Sequence, residues 1–578
     1  MNKIKNVLPW LIAILFGEIL IYMSLIGRPS VWWSAYVIAA ILIHPIIILL
    51  NMTNWFGNFI VRLNKAVRNE CNKLKSVKWK KLVIVILIDC VGALAVETIL
   101  DYHIGFNWRV YLWLLAIALI ISLIVCYRKA IMLRVENIAL TIIIVVGSLY
   151  AFTMPISCGI AWDDETHFRS AFMMSHMIDG YSSAGDAAIL NQFVNTALQH
   201  DIYTAEAHAQ WINSLDMYNQ SKPIQCGRLK PVVQNWCYIP SAIGLTVGRA
   251  LSFPYHMQFV MGRWFNLLAY ALLIFLSIKK IKTGKMLIAT VSLLPPCIFM
   301  AASYSRDPWM IGFIIYGFSY LFGELQEPQK KIKVKDVIII LGALVIGTMP
   351  KAIYAPLILV ALFVPKSKFN TEKQHRIYIM CVLGVTLLAL ATFVLPFIVA
   401  RGGSQQDNRG GAVNAVGQTA YILADPIGYI IMLVDFLKGY FSLDHANEFL
   451  PYVHYFGTMG HGILIELVLS IVALTDCDNS GRYIGWKIRV STLVLSLGCI
   501  ILAATAMYIA FTPYMYETIL GCQYRYVLQI LFPVLFVLGS VPIKNKINVI
   551  WYRSGIFAVM CYILMSGIWN LCISGFRG

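Results

Sequence analysis

Residues Glu136–Arg169 read ENIALTIIIVVGSLYAFTMPISCGIAWDDETHFR, nineteen largely apolar residues to Met154 followed within ten positions by three consecutive carboxylates. At about 1.5 Å per residue a nineteen-residue helix reaches about 28 Å, close to the thickness of a bilayer's hydrocarbon core. A charged cluster directly after such a run belongs at a membrane surface.

The rest of the chain has the same character. It holds 59% hydrophobic and only 13% charged residues, with a mean hydropathy of +0.72, whereas a soluble domain carries about 25% charged residues. A soluble fold is excluded. Apolar runs at 8–27, 31–50, 82–99, 109–127, 258–278, 284–302, 308–325, 376–399, 460–476, 487–511, 526–541 and 551–573 give, with 136–154, about thirteen spans. Residues 337–349 and 352–364 are each too short to span and meet at Met349-Pro350-Lys351, which predicts a re-entrant hairpin.

The net charge of +18 is topological in origin. Arg62, Lys65, Arg68, Lys73, Lys75, Lys78, Lys80 and Lys81 fill one inter-span segment, 51–81, and further basic residues fall between alternate runs. Under the positive-inside rule these segments are cytoplasmic. Nucleic acid is therefore not expected as a partner. The N-terminus is expected inside, with loops 155–237 and 400–458 outside, an alternation that holds if 239–253 does not span. Cys226 and Cys237 share one of these loops and are the one candidate disulfide; most other cysteines sit inside apolar runs.

Several residues could carry chemistry. Asp163, Asp164, Glu165, His167 and Arg169 lie together at one surface. Adjacent carboxylates repel and one becomes a poised general base, with His167 sharing the proton; equally, acidic residues cap a following helix. Asp-Asp-Glu also offers hard oxygen ligands for a divalent cation such as Mg or Mn. Lys351 at the hairpin tip, followed by Tyr354, either snorkels to water or binds phosphate. Gln523-Tyr-Arg525-Tyr526 offers a guanidinium suited to phosphate, beside phenols that also suit an interfacial belt. Arg306-Asp307 sits in a tight external turn, and Arg263 one turn into a span.

These segments, with Tyr238-Ile-Pro240, Gly262-Arg263-Trp-Phe-Asn266, Pro295-Pro296, Pro350-Lys351 and Phe456-Gly-Thr-Met-Gly460, occur in an order that resembles the bacterial DUF2142 family of polytopic membrane proteins over about residues 150–541. That family is grouped with the type-C glycosyltransferases. The resemblance implies a helical membrane fold of that type and transfer of a sugar from a polyprenyl-phosphate donor to a cell-envelope glycan or lipid-linked acceptor outside the bacterial cytoplasmic membrane. It implies Asp163 as base, Asp164, Glu165 and His167 in support, and Lys351, Arg525 and Arg263 on the donor phosphate. Asp164, Tyr524 and His461 depart from the family's usual Glu, Gly and Trp.

The expected organisation is accessory helices at 1–135, a catalytic membrane domain at 136–541 and a C-terminal helix at 542–578. A flippase or a polymerase of polyprenyl-linked saccharide is the alternative reading, since each would also bind charged headgroups.

Overall fold

A computed structural model of the chain describes residues 79–576 apart from 104, 127–133, 158–159, 177–180, 184–204, 219–222, 226–232, 400–410, 477–483 and 540–544. The expected spans at 8–27 and 31–50 and most of the basic segment 51–81 lie outside the described residues.

The fold is helical, with one three-residue antiparallel strand pair, Tyr181–Ser183 with Pro223–Gln225, in the segment after the acidic motif. Seven helices among the described residues are long and apolar enough to cross a membrane: Leu82–Leu100, Trp108–Cys126, Val135–Thr153, Tyr255–Lys280, Glu372–Thr392, Trp486–Ala510 and Val549–Ile573. The first two are peripheral. Leu87, Ile88 and Val91 of the first and Ile121 and Val125 of the second are more than half exposed, which suits a protein whose solvent is lipid.

The remaining expected spans take other forms, for local reasons. Pro295-Pro296 divides 284–302 into two helices, Lys285–Ser292 and Pro295–Ala301, because proline removes a backbone donor and clashes with the preceding turn. Helix α10 (Asp307–Leu325, counting helices from Trp79–Leu100 as α1) has nineteen residues; its polar and aromatic residues lower its mean hydropathy. Gly462–Thr475 and Arg525–Leu538 have only fourteen residues each.

The segment 400–458, expected to be polar and external, instead contains an apolar pair, Ala415–Ala424 and Pro426–Tyr440, bent by 105°. Asp425 accepts from the Gly428 N–H at the break, and this interruption hides the pair from any search for a single long run. The predicted hairpin is present, with an α-helical leg Val334–Thr348 and a 3-10 leg Ala352–Phe363. Residues Ile239–Ala250 form a helix of twelve residues that packs along Tyr255–Lys280.

That last contact requires a glycine. A Cβ on Gly244 would lie 2.2 Å from the Met261 carbonyl oxygen and 2.9 Å from the Gly262 Cα, both backbone atoms that cannot rotate away. Gly342, by contrast, has open space around a built Cβ. Gly244→Ala should destabilise the protein by about 1–3 kcal/mol through overpacking, seen as a lower unfolding temperature in detergent, whereas Gly342→Ala should not. Equal unfolding temperatures for the two variants would contradict the close helix approach.

Candidate functional site

The acidic motif begins with a backbone irregularity. Asp163 has φ 54° and ψ 26°, the left-handed region, which aspartate tolerates better than most residues but at a cost of about 1 kcal/mol or more. Helix α4 (Asp164–Ser175) starts at the next residue, and the Asp163 side chain makes no capping bond to it. It points instead to Arg525, whose Nη2 donates to Asp163 Oδ2 at 2.7 Å. Its neighbour Asp164 is buried and its Oδ2 accepts from the Ala161 N–H at 3.2 Å, a bond that holds the loop before the helix rather than capping a helix amide.

Arg525 opens the helix Arg525–Leu538 and is 3% exposed. Its Nη1 donates to the Trp162 carbonyl at 3.4 Å and lies 3.4 Å from Asp307 Oδ2. Asp307, the first residue of α10 and fully buried, accepts from Lys351 Nζ at 3.0 Å and from Gln529 Nε2 at 3.2 Å. Lys351 lies 4.5 Å from the centre of the Tyr526 ring. The Tyr354 hydroxyl has the Tyr526 carbonyl at 2.9 Å and Gln529 Oε1 at 3.1 Å. Four segments far apart in sequence thus meet in one alternating chain of charge, Asp163, Arg525, Asp307, Lys351, with Arg306 half-buried beside it.

A cavity of about 270 Å³ opens onto this chain, lined by Asp163, Glu165, His454, Gln523, Arg525 and Tyr526 among others. Three buried polar atoms of its walls have no hydrogen-bond partner among the described residues: Gln523 Oε1, His454 Nδ1 and Arg525 Nε. Buried polar groups are nearly always paired, so three unmet bonds among the residues lining one cavity set this region apart. Burial, and then the charge of Arg525, lower the His454 imidazole to about 4, so it is neutral at pH 7. His454 was missed in the sequence; its left-handed φ of 60° and its edge-on contact with Trp162 at 5.1 Å mark it in space, and no motif in the sequence does.

Three expected site residues have other positions. His167 does not face the cavity: it is buried against Tyr238, with Nδ1 3.0 Å from the phenol oxygen, because one turn into α4 it falls on the helix's packed side. Arg263 donates to the Pro155 and Ser157 carbonyls, both at 2.9 Å, and so braces the strand of chain leading to the acidic motif. Arg169 is exposed. Asp163 faces Arg525 while Asp164 turns back to Ala161, and among the described residues no group of three His, Cys, Asp or Glu side chains is arranged to hold a metal ion. Cys237 is a buried free thiol, and Cys226 lies outside the described residues.

Fold and cluster together define a polytopic helical membrane protein with a polar cavity at one end of its helices. Residues 144–535 match the family described as predicted membrane protein, DUF2142, and the chain belongs to that family. No curated protein and no solved structure matches it.

Burial lowers His167 and His208 to about 3, against about 6.5 unfolded. The unfolded state therefore binds more protons below pH 6.5, and stability falls as pH drops from there toward 4, by up to about 1.4 kcal/mol per pH unit for each histidine. The unfolding temperature should fall across this window in the wild type and less steeply in His167→Gln; parallel curves would show that His167 is not buried as a neutral group.

Proposed function

We propose that the protein is a membrane glycosyltransferase of the type-C kind, moving a sugar from a polyprenyl-phosphate donor to a glycan or lipid-linked acceptor. The observation that carries this reading is the cavity whose lining brings the Asp163 carboxylate and the buried Arg525 guanidinium together with Glu165, Gln523 and His454. Its proposed setting is the outer face of a bacterial cytoplasmic membrane, with the N-terminus inside; the described Lys-rich turns at 279–285 and 330–335 lie at the ends of Tyr255–Lys280 and α10 away from the cavity, as the positive-inside rule requires. The flippase alternative lacks comparable support, since this chain of charge is confined to one end of the helices.

The ion pair between Asp163 and Arg525 supplies a mechanism. A donor phosphate entering the cavity competes for the Arg525 fork, which suits phosphate as well as carboxylate. Arg525 and nearby Lys351 then hold the phosphate, and Asp163, released from Arg525, accepts the proton of the acceptor hydroxyl. That oxygen forms the new bond to the anomeric carbon as the bond to the phosphate oxygen breaks, and polyprenyl phosphate leaves with the bonding pair. Cations around the leaving oxygen stabilise its developing charge. Gln523 Oε1 and the neutral His454 are placed to accept bonds from sugar or acceptor hydroxyls, and Glu165 is the second carboxylate in the wall.

Asp163→Asn should reduce transfer from a radiolabelled polyprenyl-phosphate sugar in proteoliposomes by about 10²–10⁴-fold, the usual contribution of a positioned base. Lys351→Met should lower kcat as well as raise the KM for the donor, since it removes a cation from the departing phosphate. Undiminished transfer by Asp163→Asn removes Asp163 from the base role, and if Glu165→Gln alone abolishes transfer the role passes to Glu165.

A further inference from the structure

The opposite end of α10, about 28 Å from Asp307 by helix rise, carries a second charged node. Glu324 is fully buried and is paired with both Lys280 and Lys330. Lys368 Nζ donates to the Glu324 and Glu327 carbonyls, each at 2.7 Å. These bonds tie the loop before the hairpin to the loop after it. Over residues 324–336 and 366–376 together there are eight Lys and Arg against four Asp and Glu, so the node leaves a surplus of positive charge.

Beside it lies a cavity of about 530 Å³, roughly twice the volume of the one at the acidic motif. Its rim is Lys330, Lys331 and Lys333, and its walls include Val337, Phe369, Ile377 and Tyr378. Lys331 donates to the Ser367 carbonyl at 2.6 Å, which leaves two ammonium protons for other partners. Lys333 is exposed and its ammonium makes no ion pair among the described residues. The walls are the first turns of Val334–Thr348 and of the span Glu372–Thr392. Outside the cavity the same two helices expose Ile338 at 65% and Met380 at 71%. A cationic rim at the helix ends with apolar walls running inward along them matches a molecule that is anionic at one end and hydrocarbon at the other.

We infer that this cavity binds an anionic phospholipid, its phosphate held by Lys331 and Lys333 and its acyl chains lying on the Val337, Ile377 and Tyr378 walls. The bilayer supplies such a ligand, and basic pockets between membrane helices take acidic headgroups in preference to zwitterionic ones. The inference is independent of the proposed transfer reaction, whose residues lie at the far end of α10.

The full chain, purified in an uncharged detergent, is tested by native mass spectrometry with phosphatidylglycerol, phosphatidylcholine and inorganic phosphate as separate probes. Phosphatidylglycerol should be retained at least about tenfold more strongly than phosphatidylcholine. The double variant Lys331→Gln, Lys333→Gln should bind it about tenfold more weakly, on the scale of two lysine–phosphate attractions. Ile377→Trp, which fills the cavity without changing charge, should weaken it as well, while Lys487→Gln, an exposed lysine at another span, should not. Equal retention of the two lipids, no retention of either, or indifference to all these substitutions overturns the assignment. Displacement of phosphatidylglycerol by millimolar inorganic phosphate also overturns it, in favour of a free-anion site.

Discussion

The arrangement depends on one buried cation. Placing a guanidinium at 3% exposure costs several kcal/mol in desolvation unless anions and acceptors meet it. Arg525 finds them in Asp163, in Asp307 and in the Trp162 carbonyl. Asp163 lies 362 positions away in the chain, so the residue imposes a condition on the whole fold. The segment after Val135–Thr153, the start of α10 and the start of Arg525–Leu538 must come together, or a charge is left alone in a dry place. Asp307 extends the condition to the hairpin through Lys351.

Two residues of Tyr255–Lys280 make that meeting geometrically possible. Arg263 holds the Pro155 and Ser157 carbonyls, on the approach to Asp163. Asn266, three positions on and so on the same helix face, has its amide nitrogen 3.0 Å from the Ser303 carbonyl and 3.2 Å from that of Ser305, on the approach to Asp307. Both approaches are irregular backbone inside a membrane protein, where unpaired carbonyls are costly. One helix therefore satisfies the two loops that deliver the site's two carboxylates. The expectation of a phosphate contact at Arg263 gave it a ligand, whereas its position gives it the task of orienting the chain that bears Asp163.

The membrane class, the polar cluster and its principal members were legible because each leaves a local mark: a run of apolar residues, adjacent carboxylates, a lysine between two short apolar legs. That Lys351 and Arg525 act with Asp163 came only with the resemblance, because their meeting is a distance between segments that no local pattern encodes. Errors arose where a local mark has two meanings. Pro295-Pro296 and Asp425-Pro426 break helices without removing them from the apolar layer, so a count of long runs misjudged both regions. His167 is adjacent to Asp163 in sequence, yet helix periodicity turns it to Tyr238. His454, nearly three hundred positions from the motif, takes the place at the cavity wall.

Helix direction adds a last element to the electrostatics. Asp164, Asp307 and Arg525 are each the first residue of a helix, and Asp163, the residue just before the first of these helices, joins Asp307 around Arg525. Three helix N-termini, each equivalent to roughly half a positive charge, therefore converge beside Arg525 and Lys351. Unpaired first-turn N–H groups make such ends natural anion sites, and here they are in surplus over the two carboxylates that neutralise the cations. An additional anion entering the cavity meets a field already favourable to it and need only displace Asp163 from the guanidinium. The ion pair with Asp163 thus completes the charge balance around Arg525, and under the proposed transfer reaction a donor phosphate, with its greater charge, would take the place of that carboxylate.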